Sequence, residues 1–162
     1  MSIAEEKMHL TPADIAALGE IVGHYPHKRA ACIDALKYMQ ARHGYVSDQS
    51  LEAIAVLLDM SPAELDEVAT FYNLIFRKPV GEKVIYLCDS VTCWMLGRDK
   101  IARKIQDLIG IRQGETSTDG RYTLLPIVCL GHCDHAPAMM IDDRLFGDVE
   151  PGQLPGILEP PD

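Results

Sequence analysis

The chain has 162 residues, of which 48% are hydrophobic and 24% charged, and its formal net charge is −9. This is globular composition, long enough to bury a core without disulfide staples. The negative charge argues against binding nucleic acid phosphates, and no apolar run approaches the roughly 18 residues of a membrane helix. The acidic start, MSIAEEKMHLTPAD, does not resemble a secretory signal. We therefore expect a cytoplasmic protein, in which clustered cysteines favour metal binding or catalysis over disulfides.

Helical periodicity dominates the first half of the chain. The predicted helices cover residues 12–24, 28–42, 48–59 and 62–74. Thr11 offers a capping hydroxyl before a proline at the first helical position, and the run from Ser61 to Glu64 is a capping box. Gly44 is the predicted stop of the second helix. Four short helices joined by brief turns indicate an antiparallel bundle, which we assign to residues 1–78.

The pattern changes at Pro79-Val80-Gly81, after which strands and helices alternate. The predicted strands cover residues 83–88, 121–129, 138–141 and 144–146, and the predicted helices cover residues 97–108 and 151–158 before a frayed end, EPPD. The last two strands are expected to form a hairpin. This order predicts a small domain of thioredoxin-like topology over residues 79–162. The fold class is therefore α+β, an N-terminal helical bundle followed by a thioredoxin-like α/β domain.

Four cysteines of the second domain occur as two pairs. Cys88 and Cys93 have four residues between them, and Cys129 and Cys133 have three. Each pair follows an apolar, β-branched run that is typical of a buried strand, so both pairs are expected in loops at strand ends. Four thiols that arrive as two strand-end pairs predict a single tetrathiolate site.

The spacing of the cysteines bears on which metal such a site would hold. Thiolates are soft ligands that surround zinc or iron tetrahedrally. Structural zinc sites usually use C-x2-C knuckles, which these pairs lack, whereas looser pairs on longer loops suit a two-iron cluster. We favour a [2Fe–2S] cluster and keep zinc, a disulfide or free thiols as alternatives. Gly131 lies between the cysteines of the second pair, where a glycine lets backbone N–H groups approach the sulfurs.

Other residues near the cysteines are given simpler interpretations. A thioredoxin-type dithiol requires C-x-x-C, which neither pair has. His132 and His135 would suit a Rieske centre, but four cysteines already fill the coordination, so we expect solvent-facing loop residues. Cys32 is expected to be a small core residue. The segment Trp94-Met95-Leu96 is expected to shield the metal site, to face a partner, or to pack in the core at a helix start.

Sequence motifs for catalysis or nucleotide binding are missing from the chain. It has no Ser-His-Asp order, Walker motif, G-x-G-x-x-G run or zinc-protease helix. We therefore expect the protein to move electrons or to help a larger assembly do so, with no catalysis by the isolated chain.

Four segments of the chain carry a resemblance to a known family. They are EVATFYNLIFRKPVG, CDSVTC, GETSTDGRYTLLPIVCLGHCD and APAMMID, within a stretch from about His24 to Met140. These segments resemble the small thioredoxin-like [2Fe–2S] ferredoxin subunits of bacterial NADH:quinone oxidoreductase, which is respiratory complex I. The resemblance implies one [2Fe–2S] cluster. It also implies a common set of ligands: Cys88, Cys93, Cys129 and Cys133.

The resemblance also implies partners and a location. The helical segment would pack against a flavoprotein subunit that binds FMN and NADH, with other peripheral-arm subunits nearby. The protein would be cytoplasmic and peripheral to the inner membrane through the complex, with no direct membrane insertion. Two alternatives remain: an equivalent ferredoxin subunit of an NAD-linked hydrogenase or formate dehydrogenase, and a zinc-stabilised interaction module without redox function.

Overall fold

The computed structural model describes residues 10–158, so the predicted frayed end lies outside the described residues. The helices are α1 Pro12–Gly23, α2 Cys32–His43, α3 Asp48–Leu57, α4 Pro62–Phe71, α5 Val91–Met95, α6 Arg98–Ile109 and α7 Leu154–Leu158. The strands are β1 Lys83–Cys88, β2 Tyr122–Ile127, β3 Met139–Ile141 and β4 Arg144–Phe146. Short 3₁₀ helices cover Lys28–Ala31 and Cys133–His135. The chain divides between Pro79 and Val80 into two compact units, a helical unit and a sheet-containing unit.

The helix starts predicted from capping residues are confirmed. At α1 the Thr11 hydroxyl accepts from the Asp14 N–H at 3.2 Å, and the Asp14 carboxylate accepts from the Thr11 N–H at 2.9 Å. Ser61 and Glu64 form the same reciprocal pair at α4. Gly44 ends α2 in the left-handed region, φ 81°, where a side chain is strained. Each device satisfies backbone groups that a helix end leaves unpaired.

Helix α4 ends at Phe71, so the prediction that it reaches residue 74 is wrong. Tyr72 leaves the helical region with ψ 107°. In the last turn the Thr70 hydroxyl donates to the Asp66 carbonyl at 2.7 Å and contacts the Glu67 carbonyl at 3.3 Å. Such side-chain bonds to the preceding turn compete with helix continuation. The apolar residues beyond Phe71 continue the helical spacing in the sequence, but they lie outside the helix in the structure.

The described part of the helical unit has an apolar core and one buried carboxylate, that of Asp14. Its fully buried large side chains are Leu18, Leu36, Met39, Ile54, Leu58 and Leu65. The buried carboxylate of Asp14 also accepts from the Tyr38 hydroxyl at 3.1 Å and pairs with Arg42 Nε at 2.8 Å. The hydrogen bond from Thr11 and these further partners hold the pKa of Asp14 below its ordinary value of 3.8. Asp14 therefore joins α1 to α2 by a charged, fully satisfied network.

The sheet-containing unit has the strand order β2-β1-β3-β4. Strand β1 pairs parallel with β2, from Lys83 opposite Tyr122 to Cys88 opposite Ile127, and antiparallel with β3. Strands β3 and β4 form the predicted hairpin. A parallel pair needs a crossover connection, which α5 and α6 supply. The core side chains include Ile85, Leu87, Ile101, Ile105, Leu124 and Met139.

Strand β2 is the outer strand beside β1, and within residues 10–158 the backbone groups on its far side bond to the preceding loop. Leu124 N–H donates outward to the Glu115 carbonyl at 3.1 Å, and Thr116 forms an isolated bridge with Thr123. Along a strand, successive backbone N–H groups point to opposite sides. The backbone nitrogen of Pro126, two residues after Leu124, therefore also lies on the side away from β1. A proline has no N–H, and an edge strand is where it is tolerated.

The predicted α+β architecture is confirmed, and two short elements were not predicted, α5 and the 3₁₀ helix Cys133–His135. Helix α5 is only five residues long, too short to show a helical period, and it lies in what was expected to be loop. Strand β2 ends at Ile127 instead of residue 129. Among the residues that the structure describes, no helix has the length and apolar character needed to cross a membrane.

We expect Asp14→Ala to lower the free energy of unfolding by about 2 kcal/mol at neutral pH, because it removes a helix cap and charged hydrogen bonds. The native carboxylate has a lowered pKa, so its contribution is present above pH 3.8 and is lost as pH falls through its folded value. The difference between the two proteins should therefore narrow in acid. Urea unfolding followed by circular dichroism at several pH values measures this.

The matched control is Glu20→Ala, an exposed acid on the same helix, which should change stability by less than about 0.5 kcal/mol. An equal loss in both variants would show that Asp14 has no special role.

Candidate metal centre

The topology brings the four predicted thiols to one edge of the sheet. Cys88 is the last residue of β1, and Cys129 follows the end of β2 by two residues. Because β1 and β2 are parallel, their carboxyl ends lie at the same edge. Cys93 lies in α5, directly beyond β1, and Cys133 opens the 3₁₀ helix that follows Cys129.

The two pairs differ in burial. Cys88 and Cys93 are 2% and 1% exposed, whereas Cys129 and Cys133 are exposed. All of them are free thiols, as is the half-buried Cys32 of the helical unit. The site therefore has an inner, apolar side and an outer side that faces solvent.

The ionisation of the thiols shows that the pairs influence one another. Burial, with smaller effects from Cys88 and Cys133, raises the pKa of Cys93 to about 11. The Gly131 N–H, 3.3 Å from the Cys129 sulfur, lowers the pKa of Cys129, as do Cys133 and Cys88. The pKa of Cys133 is raised chiefly by Cys129 and also by Cys88. Interactions therefore run between the pairs as well as within them.

The position expected for Gly131 is confirmed. Its φ of 72° is in the left-handed region, which favours glycine, and its N–H approaches the Cys129 sulfur as predicted. Within residues 10–158, no three His, Cys, Asp or Glu side chains are gathered around a position for a single metal ion. The use of the four thiols as ligands therefore stays a prediction.

His135 faces solvent as expected, with its side chain 51% exposed, whereas the His132 side chain is 32% exposed. Their rings stack at 4.8 Å between centroids, and His135 Nδ1 lies 2.6 Å from an oxygen of Asp148. The Asp148 carboxylate raises the pKa of His135. A Cβ on Gly147 would lie 2.6 Å from His135 Cβ and 2.7 Å from the His132 ring, so only a glycine fits there.

Sequence reasoning missed the contribution of residues 147 and 148. Asp148 also donates its N–H to the His135 carbonyl at 2.6 Å, so two bonds fix the short 3₁₀ helix that Cys133 begins. The available signal was the Gly-Asp pair after the last strand, which is typical of a turn. The partner of that turn lies thirteen residues earlier in the chain, and sequence spacing alone does not reveal it.

The segment beside Cys93 is open to solvent. Trp94, Met95 and Leu96 are 61%, 73% and 58% exposed, which contradicts the expectation of packing at a helix start. Val128, next to Cys129, is 75% exposed. Exposed apolar side chains therefore follow a cysteine of each pair. That this segment shields the metal site or faces a partner stays a prediction.

The thioredoxin-like [2Fe–2S] ferredoxin family model matches residues 18–161, and the chain belongs to this family. Among curated proteins, it is 42% identical to the E subunit of the NADH-quinone oxidoreductase of Pseudomonas aeruginosa, over 97% of this chain and 95% of that protein. It is also 42% identical to the E subunit of the Escherichia coli K12 NADH-quinone oxidoreductase, over 95% of this chain and 93% of that protein.

Solved structures show the same fold. A chain of an NAD+-reducing [NiFe]-hydrogenase in the H2-reduced state matches 78% of this chain with a TM-score of 0.66 and 24% identity. The air-oxidised state matches 94% with a TM-score of 0.60 and 19% identity. This chain spans only 21% and 23% of those longer chains. The predicted fold class is confirmed, and the hydrogenases are informative for the fold alone.

In protein freed of metal under reducing conditions, we expect Cys129 to be alkylated at least about tenfold faster than Cys93 at pH 8. The thiolate is the reactive form, and the two pKa values are shifted in opposite directions while burial also protects Cys93. Iodoacetamide labelling with peptide mass spectrometry gives both rates in one sample. Equal rates at the two positions would contradict the inner and outer arrangement of the pairs.

Proposed function

We propose that this chain is the electron-transfer subunit of an NADH:quinone oxidoreductase and carries one [2Fe–2S] cluster. The proposed ligands are Cys88, Cys93, Cys129 and Cys133. The observation that carries this proposal is the meeting of two thiol pairs at one sheet edge in a member of the [2Fe–2S] ferredoxin family. Two thiols from each loop fit a cofactor with two irons, each of which takes two thiolates.

The residues around the thiols suit a carrier of single electrons. A bound cluster supplies one-electron redox chemistry without proton transfer to substrate. The chain excludes water on the inner side, where Cys88 and Cys93 are buried with Ala138. On the outer side, the Gly131 N–H stabilises negative charge on the Cys129 sulfur. The exposed pair then gives a partner a short path to the cofactor.

The proposed partner is a flavoprotein subunit that binds FMN and NADH, alongside other peripheral-arm subunits. Two near-full-length relatives are named as subunits of NADH-quinone oxidoreductase. We assign partner docking to the helical unit, residues 1–78. Its apolar side chains include the exposed Phe71, at 78%, and the partly exposed Tyr72 and Leu74, at 43% and 45%. In such an assembly the chain would be cytoplasmic and peripheral to the inner membrane.

The alternatives are less well supported. An equivalent subunit of an NAD-linked hydrogenase or formate dehydrogenase would use the same site, but the identity to the hydrogenase chains is below that to the NADH-quinone oxidoreductase subunits. A zinc-stabilised module would be colourless.

Anaerobic purification followed by visible absorbance and EPR after dithionite reduction distinguishes the cluster from zinc. A red-brown sample with a rhombic signal on reduction supports the proposal, and a colourless sample with one zinc per chain contradicts it.

We expect Cys129→Ala to abolish stable cluster binding, because three thiolates leave one iron without its second protein ligand. Iron content and visible absorbance of the anaerobically purified variant measure this. Cys32→Ala is the matched control, since Cys32 is a free thiol of the helical unit and should leave both unchanged. Wild-type iron content and absorbance in the Cys129 variant would show that the ligand assignment is wrong.

We also expect a fragment of residues 79–162 to hold the cluster and to lose binding to the flavoprotein subunit. The proposed ligands all lie in this fragment, whereas the proposed docking residues lie before it. Absorbance and co-purification with the tagged flavoprotein test the two parts separately. Loss of the cluster, or full retention of partner binding, would count against this division of roles.

A further inference from the structure

Arg98 has a buried guanidinium that its own surroundings do not fully satisfy. It is the first residue of α6, and its side chain is only 10% exposed. Its Nη2 lies 3.3 Å from an oxygen of Asp89, and its Nη1 lies 3.1 Å from an oxygen of Asp99. Across the described residues, its Nε and Nη2 are buried and have no hydrogen-bond partner. The contact with Asp89 is therefore an ion pair without a well-directed hydrogen bond.

This position is costly for a cation. The first turn of a helix carries the positive end of the helix dipole, which disfavours positive side chains. Burial removes water from the charge, and unpaired N–H groups add a further desolvation cost. Arg98 therefore does not stabilise α6 by its position, and nearby negative charge must compensate for it.

The ion pair joins the two ends of the segment that contains Cys93 and that begins directly after Cys88. Asp89 is bonded to Cys88, and Cys93 lies in α5, between Asp89 and Arg98 in the chain. The side chains of Asp89 and Asp99 are 52% and 56% exposed, so water screens their charges far more than that of Arg98. Of these three charges, the least screened is therefore the positive one.

We propose that Arg98 raises the reduction potential of the cluster held by this loop, an inference that rests on the proposed function. Reduction adds one electron to the site, from dithionite in a titration or from a reduced flavin in an assembly, and no bond is formed or broken. The negative charge of the thiolate-ligated site increases by one. A fixed positive charge nearby stabilises the reduced form relative to the oxidised form. Arg98 therefore acts on the site through its positive charge and is not a ligand.

The test is Arg98→Met in the full chain, because methionine fills similar space without charge or unpaired donors. The midpoint potential is measured by EPR-monitored redox titration, beside iron content and visible absorbance. For a charge about 10 Å away at an effective dielectric constant of about 20, Coulomb's law gives an effect on the order of tenfold in the reduction equilibrium. This corresponds to a potential lower by about 59 mV for one electron.

Two further variants separate charge from packing. Arg98→Lys keeps the charge and should restore most of the potential. Arg103→Met removes the same charge from an exposed position of α6 and should leave the potential unchanged. Arg98→Gln is a second neutral variant for use if methionine prevents cluster binding.

The outcomes are distinct. A lower potential in a neutral Arg98 variant with wild-type iron content, together with recovery in the lysine variant, supports the proposal. An unchanged potential, an equal shift in the Arg103 variant, or loss of the cluster in both neutral variants overturns it. A wild-type protein without iron would instead overturn the proposed function, independently of Arg98.

Discussion

The parallel pairing of β1 with β2 is the interaction on which the candidate site depends. Two loops that are about thirty-five residues apart in sequence meet because parallel strands end at the same edge. An antiparallel pairing of the same two strands would place the cysteine pairs at opposite ends of the sheet. The six paired positions of this register, from Lys83 opposite Tyr122 onward, therefore determine whether a four-thiol site exists at all.

The site has an asymmetry that follows from this pairing. Cys88 ends the inner strand and is buried by it, whereas Cys129 lies beyond the end of an edge strand and stays exposed. Burial raises the pKa of Cys93, so this inner thiol needs compensating charge or metal to ionise. The outer thiol receives the Gly131 N–H instead. One cofactor would therefore have a dry side within the protein and an accessible side toward a partner.

Most of the fold could be predicted from sequence because its signals are local. Capping residues marked the starts of α1 and α4, glycine marked the end of α2, and apolar runs marked the strands. The approach of the two thiol pairs was also predictable, since it needs only strand ends and a crossover.

Features that depend on distant partners could not be predicted. The stacking of His132 on His135 needs the close approach of Gly147, and the burial of Arg98 needs Asp89. Beyond Phe71, residues that continue the apolar pattern of α4 bond instead to Gln40 of α2, which accepts from the Phe76 N–H and donates to the Leu74 carbonyl. In each case three-dimensional packing decides a property that spacing leaves open.

The proline in β2 has a consequence for aggregation of the protein. An open sheet edge is a template on which the strand of another molecule can add, and such addition leads to aggregation. Pro126 faces outward on this edge and offers no N–H, and Leu124 and Thr123 already bond to the preceding loop. The outer side of β2, the strand that leads to the exposed Cys129, therefore offers few free backbone groups for strand addition. The site can thus be open to a partner without exposing an unpaired strand edge beside it.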